Sequence, residues 1–505
     1  MLARIATFAI DGVDPCPVWV EVDIHSGLPA FTIVGLGDAA VRESRDRIRA
    51  AIKNSGFDFP PQRITANLAP AFLRKAGPGF DTAIALGVLA ASGQIPVHPL
   101  ADVAVFGELS LGGDLRDAPG ALAVAEGARR AGLRRLIVPR ESAREAALVE
   151  GLEVAGVPTL PAAASVLSGG PVPELPPAPA ATRARHVPPD LADVRGQATA
   201  VLALEIAAAG GHNLMLEGPP GTGKTMLARR LPSILPAMTR PEAISVTRIH
   251  SVAGLHRDGL ITERPFRAPH HTISPAGLVG GGSPPRPGEA TLADLGVLFL
   301  DELSEFQRSS LDALRQPLED GRVTIVRGQR ALVFPTRFIL VAATNPCPCG
   351  FAGDDRCECA EADLRRHRRR LSGPLLDRLD LLIDVQRPTE LELRSPAVTS
   401  SAQAAARVGA ARERQRVRLA GTGFRCNAEM SASLVRSYVR LDDAGERVLS
   451  RAYVTGALSA RGRQRTLRVA RTMADLAGRD RVSQADVLAA LALRQRGATD
   501  VRLAA

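Results

Sequence analysis

Hydrophobic and polar positions change their period several times along the chain. Near the amino terminus Val18, Val20, Val22 and Ile24 alternate with Trp19, Glu21 and Asp23, the two-residue period of a strand with one buried face. FTIVGL (31–36) and RITANLAP (63–70) are further strand candidates, and helices are expected over about 39–54 and 80–92. VAVFGEL (103–109) and LRRLIVP (133–139) follow as strands around an Ala-rich helix. Residues 1–167 thus read as one α/β unit. SGGPVPELPPAPAATRARHVPPD (168–190) then breaks every period. Its Pro, Gly and Ala cannot bury enough surface to order it, which predicts a semi-rigid linker.

From 191 to 394 the strands become continuous apolar runs: HNLMLEG (212–218), LGVLFLDE (295–302) and RFILVAATN (337–345). Strands apolar on both faces predict a parallel sheet covered by helices, and TMLARRLPSIL (225–235) reads as the helix after the first of them. Residues 395–505 turn helical, with helices expected near 402–419, 428–439, 443–457, 464–476 and 483–494. Ser483, with Asp486 three residues on, supplies a helix cap.

Length and composition adjust this picture slightly. At about 150 residues per domain, 505 residues suggest three domains. Aromatics are only 3% of a chain that is 45% hydrophobic, so its cores must be built from Ala, Leu and Val. A net charge of +10 points weakly to a polyanion such as nucleic acid. The basic residues are nearly all Arg, however, and compositional drift gives the same excess. Six cysteines do not make a disulfide scaffold. With no signal peptide and no apolar run of about 18 residues, a cytoplasmic protein without membrane partners is expected.

The sharpest chemistry lies at Gly218, Pro219, Pro220, Gly221, Thr222, Gly223, Lys224 and Thr225. This octet fits the phosphate-binding loop G-x-x-x-x-G-K-[ST] and stands between a strand and a helix, as that motif requires. Its glycines let backbone N–H groups curl around phosphates, and the helix N-terminus adds positive charge. Lys224 would reach the β- and γ-phosphates of ATP, and Thr225 would offer its hydroxyl to Mg²⁺. Asp301 ends the apolar strand 297–300 and is the second Mg²⁺ candidate; Glu302 beside it would activate the attacking water. Asn345, ending the next strand, is favoured to position that water, with a turn-forming Asn before Pro346 as the alternative. Arg378 in LLDRLD (375–380) is a candidate finger for a neighbouring subunit's γ-phosphate, against an intrahelical pair with Asp377 or Asp380. On the last long helix Arg468 is favoured as a second sensor reaching back onto the same nucleotide, with Arg461, Arg465 and Arg471 as rivals.

Cys347, Cys349, Cys357 and Cys359 follow C-x-C-x₇-C-x-C. Two readings stay open, a tetrahedral structural zinc site and four free thiols. GRVTIVRGQRALVFPTRF (321–338) reads as a hairpin with Arg327 and Arg330 at its tip, either phosphate contacts for a DNA strand or a solvated turn. GGGSPPRPG (280–288) is a flexible loop carrying Arg286 as a further DNA-contact candidate. Adjacent His270 and His271 point in different directions, so one metal rarely takes both, and they are expected in a loop near the nucleotide or a subunit contact.

Together DVRGQ (193–197), GGHNLMLEGPPGTGKTMLARRLPSILP (210–236), RPFRAPHHTIS (264–274), PGEATLADLGVLFLDELSEF (287–306), ATNPCPCG (343–350), SGPLLDRLDL (372–381) and LSARGRQRTLRVARTMADL (458–476) resemble the Mg-chelatase-like AAA+ ATPases of the YifB/ComM type. The resemblance spans essentially the whole chain, and RAPHH and NPCPCG are far more specific than a phosphate loop. One departure is Asp294, where these proteins commonly carry His. The resemblance implies an α/β chain with a Lon-protease-like amino-terminal domain, an AAA+ core and a carboxyl-terminal helical lid. It also implies a homo-hexameric ring and, for the ComM branch, a DNA helicase driving branch migration in natural transformation. Gly79 and Val124 stand where a Lon-type protease would place its Ser and Lys, so that domain is expected to be non-catalytic. A magnesium-chelatase ATPase subunit and a protein-remodelling ATPase are the alternatives.

Overall fold

The computed structural model describes residues 2–96, 98–175, 189–255, 259–282, 285–327, 330–352, 355–370, 373–456 and 458–494. The alternating segment becomes the strand Asp14–His25, paired antiparallel with Leu2–Asp11 on one side and Arg63–Ala69 on the other. Val18, Val20, Val22 and Ile24 are buried, as the pleat demands of every second residue. Ala30–Val34, Val103–Val105, Arg135–Pro139 and Glu153–Val157 complete a seven-stranded mixed sheet. Helices Ala39–Asn54, Asp81–Ala91 and Leu160–Leu167 cover one face, and Ala121–Arg130 the other. Small residues substitute for aromatics by close approach: every residue of Asp81–Ala91 is buried. A Cβ on Gly79 would lie 2.4 Å from the Phe106 ring, and Val124 is fully buried. The two positions therefore offer neither nucleophile nor base. Most of the expected linker, 176–188, lies outside the described residues.

The second sheet is parallel, with strands in the order Phe266–Arg267, Val297–Leu300, Ile339–Thr344, Leu214–Glu217 and Leu381–Asp384. Its continuous apolar runs serve two layers. Leu214, Leu216, Val341, Ala343, Leu381 and Ile383 face helices Ala198–Gly210, Ser401–Arg418 and Ala460–Leu476. Met215, Leu298, Leu300, Leu340 and Ala342 face Phe306, Leu311 and Leu375 on the other side. The carboxyl-terminal helices thus share one apolar core with the sheet. Ser483 and Asp486 form a reciprocal capping box at the start of Gln484–Ala492, as their spacing predicts.

Two helices depart from expectation. The segment 225–235 is not one helix but two, Lys224–Ala228 and Leu231–Ile234. Pro232 has no N–H to continue the ladder. The segment 428–439 keeps only Ala432–Tyr438 as α-helix, entered through a Ser431 cap. Arg322–Arg327 and Arg330–Pro335 form the expected hairpin, in register from Arg322↔Pro335 to Arg327↔Arg330. Val323, Leu332 and Phe334 root it against Val13 and Ile249. Among the described residues no helix is long and apolar enough to cross a membrane.

Candidate active site

The strand order sets the geometry. Ile339–Thr344 lies between the phosphate-loop strand and Val297–Leu300, so three functional strand ends open side by side at the carboxyl edge, where open α/β sheets bind ligands. Gly221 (φ 76°) and Gly223 (φ 88°) take the left-handed conformations that turn the loop into its helix. Lys224 is only 9% exposed. Its ammonium donates to Gly218 O (2.6 Å), Pro219 O (2.8 Å) and Asn345 Oδ1 (3.1 Å). Burial pulls its pKa down, and the Asp301 charge opposes that shift.

Thr225 Oγ1 donates to Asp301 Oδ2 at 2.7 Å, which brings both Mg²⁺ candidates to one point. A hydroxyl and a carboxylate beside phosphate-binding N–H groups form a hard oxygen donor set, and it fits that ion. The other Asp301 oxygen accepts the Glu302 N–H at 3.0 Å. This bond holds Glu302 in the left-handed region (φ 53°, ψ 49°), where a non-glycine residue is strained by about 1–2 kcal/mol. The strain turns the exposed Glu302 carboxylate to within 3.4 Å of His271 Nδ1.

Two histidines join this edge, His271 from the pair expected near the nucleotide or a subunit contact and His367, which sequence reasoning missed. His271 meets Glu302 because its loop is tied down by Arg267, whose guanidinium grips Glu289 through bonds of 2.6 and 2.8 Å. His367, 4% exposed on helix Glu361–Arg370, places Nε2 2.9 Å from Asn345 O. The first had a signal in RAPHH; the second sits unmarked in an arginine run.

Beyond Asn345 the four cysteine sulfurs converge, all within 4.8 Å of one another. Cys347–Cys349, Cys349–Cys357 and Cys347–Cys357 are 3.3, 3.7 and 3.9 Å apart, too far for disulfides. The backbone N–H of Phe351 and the Cys347 thiol pull Cys349 down to about 6. Cys359, despite its backbone bond with Cys349, is pushed up to about 12 by the Cys349 thiol, burial and Cys347. Such a cluster resists four negative charges unless a cation joins it.

The remaining candidates lie elsewhere. A cleft of about 1480 Å³ opens at the amino ends of the same strands, lined by Asn213, Gly296, Ile339 and Asp380 together with Arg378, Arg465 and Arg468. Arg378 is ion-paired with Glu319 there. Burial drives Asp380 up, but a hydrogen bond from His212, the His212 charge and nearby Arg465 and Arg494 hold it below the usual carboxylate range. At about 3.3 Å per residue, strands of four to six residues separate this cleft from the phosphate loop by about 13–20 Å. Arg468, expected to reach the nucleotide of its own chain, thus lines the edge away from that chain's phosphate loop. Its helix docks through Leu467, Val469 and Ala470 onto Ala198–Gly210, and that packing points Arg468 at the opposite edge of the sheet. Arg286 is exposed on Arg286–Pro287, paired with Gly280–Gly281. The backbones of Arg327 and Arg330 close the hairpin, while residues 328–329 lie outside the described residues.

Residues 190–393 match the family described as magnesium chelatase, subunit ChlI; residues 20–142 match subunit ChlI of Mg-chelatase, and 398–494 its C-terminal family. An uncharacterized protein of Mycobacterium tuberculosis is 47% identical over 98% of this chain and 99% of its own length. The uncharacterized protein YifB of Escherichia coli and the competence protein ComM of Haemophilus influenzae are each 42% identical, over 98% of this chain and 97% of their own.

Proposed function

Since the chain belongs to the Mg-chelatase-like AAA+ ATPase family that includes YifB and ComM, we propose that it is a Mg-ATP-driven motor that works on DNA as a homo-hexameric ring in the cytoplasm, a helicase for branch migration in recombination or transformation. The observation that carries this reading is the split of the machinery between two edges of one sheet. Lys224, Thr225, Asp301, Glu302 and Asn345 meet at one edge, and Arg378 and Arg468 line the other. A closed ring of head-to-tail copies brings the arginine edge of one chain to the nucleotide edge of the next.

In that ring the loop 218–225 and Lys224 hold the phosphates, and Thr225 with Asp301 would bind Mg²⁺, which neutralises charge on the transferred phosphoryl group. Glu302 accepts the proton of the attacking water. Asn345 orients that water. Arg378 and Arg468 of the adjacent copy stabilise charge on the γ-phosphate. Cys347, Cys349, Cys357 and Cys359 would hold a structural zinc ion, completing the cofactor set. A competence protein among the relatives, the +10 charge and the rooted hairpin all favour DNA as the substrate. The family descriptions favour a second reading, a chelatase-type ATPase.

The test is the ATPase rate with and without single-stranded and branched DNA, at low and physiological salt. DNA should raise it severalfold, the rise should weaken steeply with salt, and Arg327→Ala/Arg330→Ala should abolish it. A rate indifferent to every DNA overturns the DNA reading in favour of the second.

A further inference from the structure

We infer that the four-cysteine loop is a zinc-organised clip that sets the position of Asn345 and braces the outer wall of the phosphate loop, so that ATP turnover depends on the metal. The inference rests on the ATPase reading above and adds a positioning element to it.

The donor set is complete within one short loop. Four thiolates at Zn–S distances of about 2.3 Å form a tetrahedron with edges of about 3.8 Å. The observed Sγ–Sγ separations of 3.3, 3.7 and 3.9 Å cluster around that edge, and all four sulfurs lie within 4.8 Å of one another. Cys347 is 1% exposed and accepts the backbone N–H of Ala352 at 3.1 Å. Such N–H bonds to sulfur orient metal-binding thiolates.

Both ends of the loop are tied to the catalytic edge. Cys347 follows Asn345 by two residues, and the strand before it is pinned to the phosphate loop because Gly218 N donates to Thr344 O at 3.2 Å. After Cys359 the chain enters helix Glu361–Arg370, whose His367 returns to Asn345 O at 2.9 Å. In the middle, Gly350 (φ 88°) lies against the phosphate loop so closely that a Cβ would meet Pro220 Cδ at 2.7 Å. The loop is therefore joined to Asn345 directly at one end and through the helix bearing His367 at the other, and it lies against Pro220 in between. Among its described residues it has no helix or strand of its own, so cross-linking its halves through an ion is what fixes it. The cysteines touch no reacting atom in this account. They act through Asn345, whose amide would hold the lytic water, and a loosened clip should slow hydrolysis more than it weakens nucleotide binding.

Full-length protein purified without chelator should carry about one zinc per chain by elemental analysis, from a four-ligand site. Cys357→Ser/Cys359→Ser should lose the zinc, keep its affinity for a fluorescent ATP analogue within about threefold, and lose about tenfold or more in kcat, the usual scale for supporting contacts. Cys357→His, which retains a zinc ligand, should keep both metal and turnover. If the double variant does not fold, chelator-stripped wild type replaces it, and zinc but not extra Mg²⁺ should restore kcat. Wild type devoid of zinc overturns the site. A zinc-free protein with unchanged kcat, or one whose loss lies wholly in ATP affinity, overturns the clip. Zinc-loaded wild type that never hydrolyses ATP fails on the ATPase reading instead, because the metal content still decides the site.

Discussion

At the carboxyl ends of the parallel strands the chain gathers a lysine, a hydroxyl, two carboxylates and an amide; at the amino ends it gathers arginines around Asp380. The first edge is closely bonded within itself: Lys224 is held by three acceptors and Thr225 by Asp301. The second is an open cleft with partly desolvated guanidinium groups, among them Arg465 and Arg468, whose pKa values burial lowers. On the proposed ring reading, one copy carries the halves of two separate sites. On that reading the built edge would bind nucleotide alone, and the arginine edge would act on a neighbour's phosphates.

Changes at the built edge should have the largest effects. Glu302→Gln should still bind ATP but lose on the order of 10³-fold in turnover, since the general base is gone while the phosphate contacts remain. Measured nucleotide affinity beside steady-state hydrolysis checks this, and normal turnover removes Glu302 from its role. At the opposite edge, Arg378→Ala and Arg468→Ala should each keep ATP affinity and lose about 10–10³-fold in kcat, as expected when charge stabilisation is withdrawn. A large loss of affinity in either would place that arginine on its own chain's nucleotide and break the comparison.

The smallest effect concerns stability. Asp294, beside the amino-end cleft, is pushed up to about 6 by burial, against the Arg337 N–H and the charges of Arg425, Arg337 and Arg248. A carboxyl raised above its usual value adds stability below about pH 4 that is lost as the pH rises through about 6. Asp294→Asn should keep the acceptor for Arg337 and gain up to about 3 kcal/mol over wild type between pH 4 and 7. Urea unfolding at several pH values tests this; parallel curves for the two proteins would contradict it.

These edges were unequally legible in the sequence. The phosphate loop is a local motif, and Asp301 and Asn345 each end an apolar run, so strand ends could be read directly from hydrophobic pattern. The Thr225–Asp301 contact then followed from strand order. The position of Arg468 was not legible, because helical periodicity gives the face of a helix and not the flank on which it docks. That flank is chosen by the shared packing of Leu467, Val469 and Ala470 with Ala198–Gly210, a long-range fact. His367 was hidden for the same reason, since its partner, the Asn345 carbonyl, is distant in sequence. The split at Pro232 was written in the sequence and overlooked, because the apolar period continued across it.

The most direct test of the two-edge account mixes two inactive proteins. Lys224→Ala lacks a working phosphate loop but keeps its arginines; Arg378→Ala has the reverse defect. Mixed, they should recover ATPase activity well above the sum of the two alone, because some junctions then pair an intact loop with an intact arginine edge. A mixture that forms shared assemblies, seen by crosslinking, yet hydrolyses no more than its parts would show that each chain completes its own site.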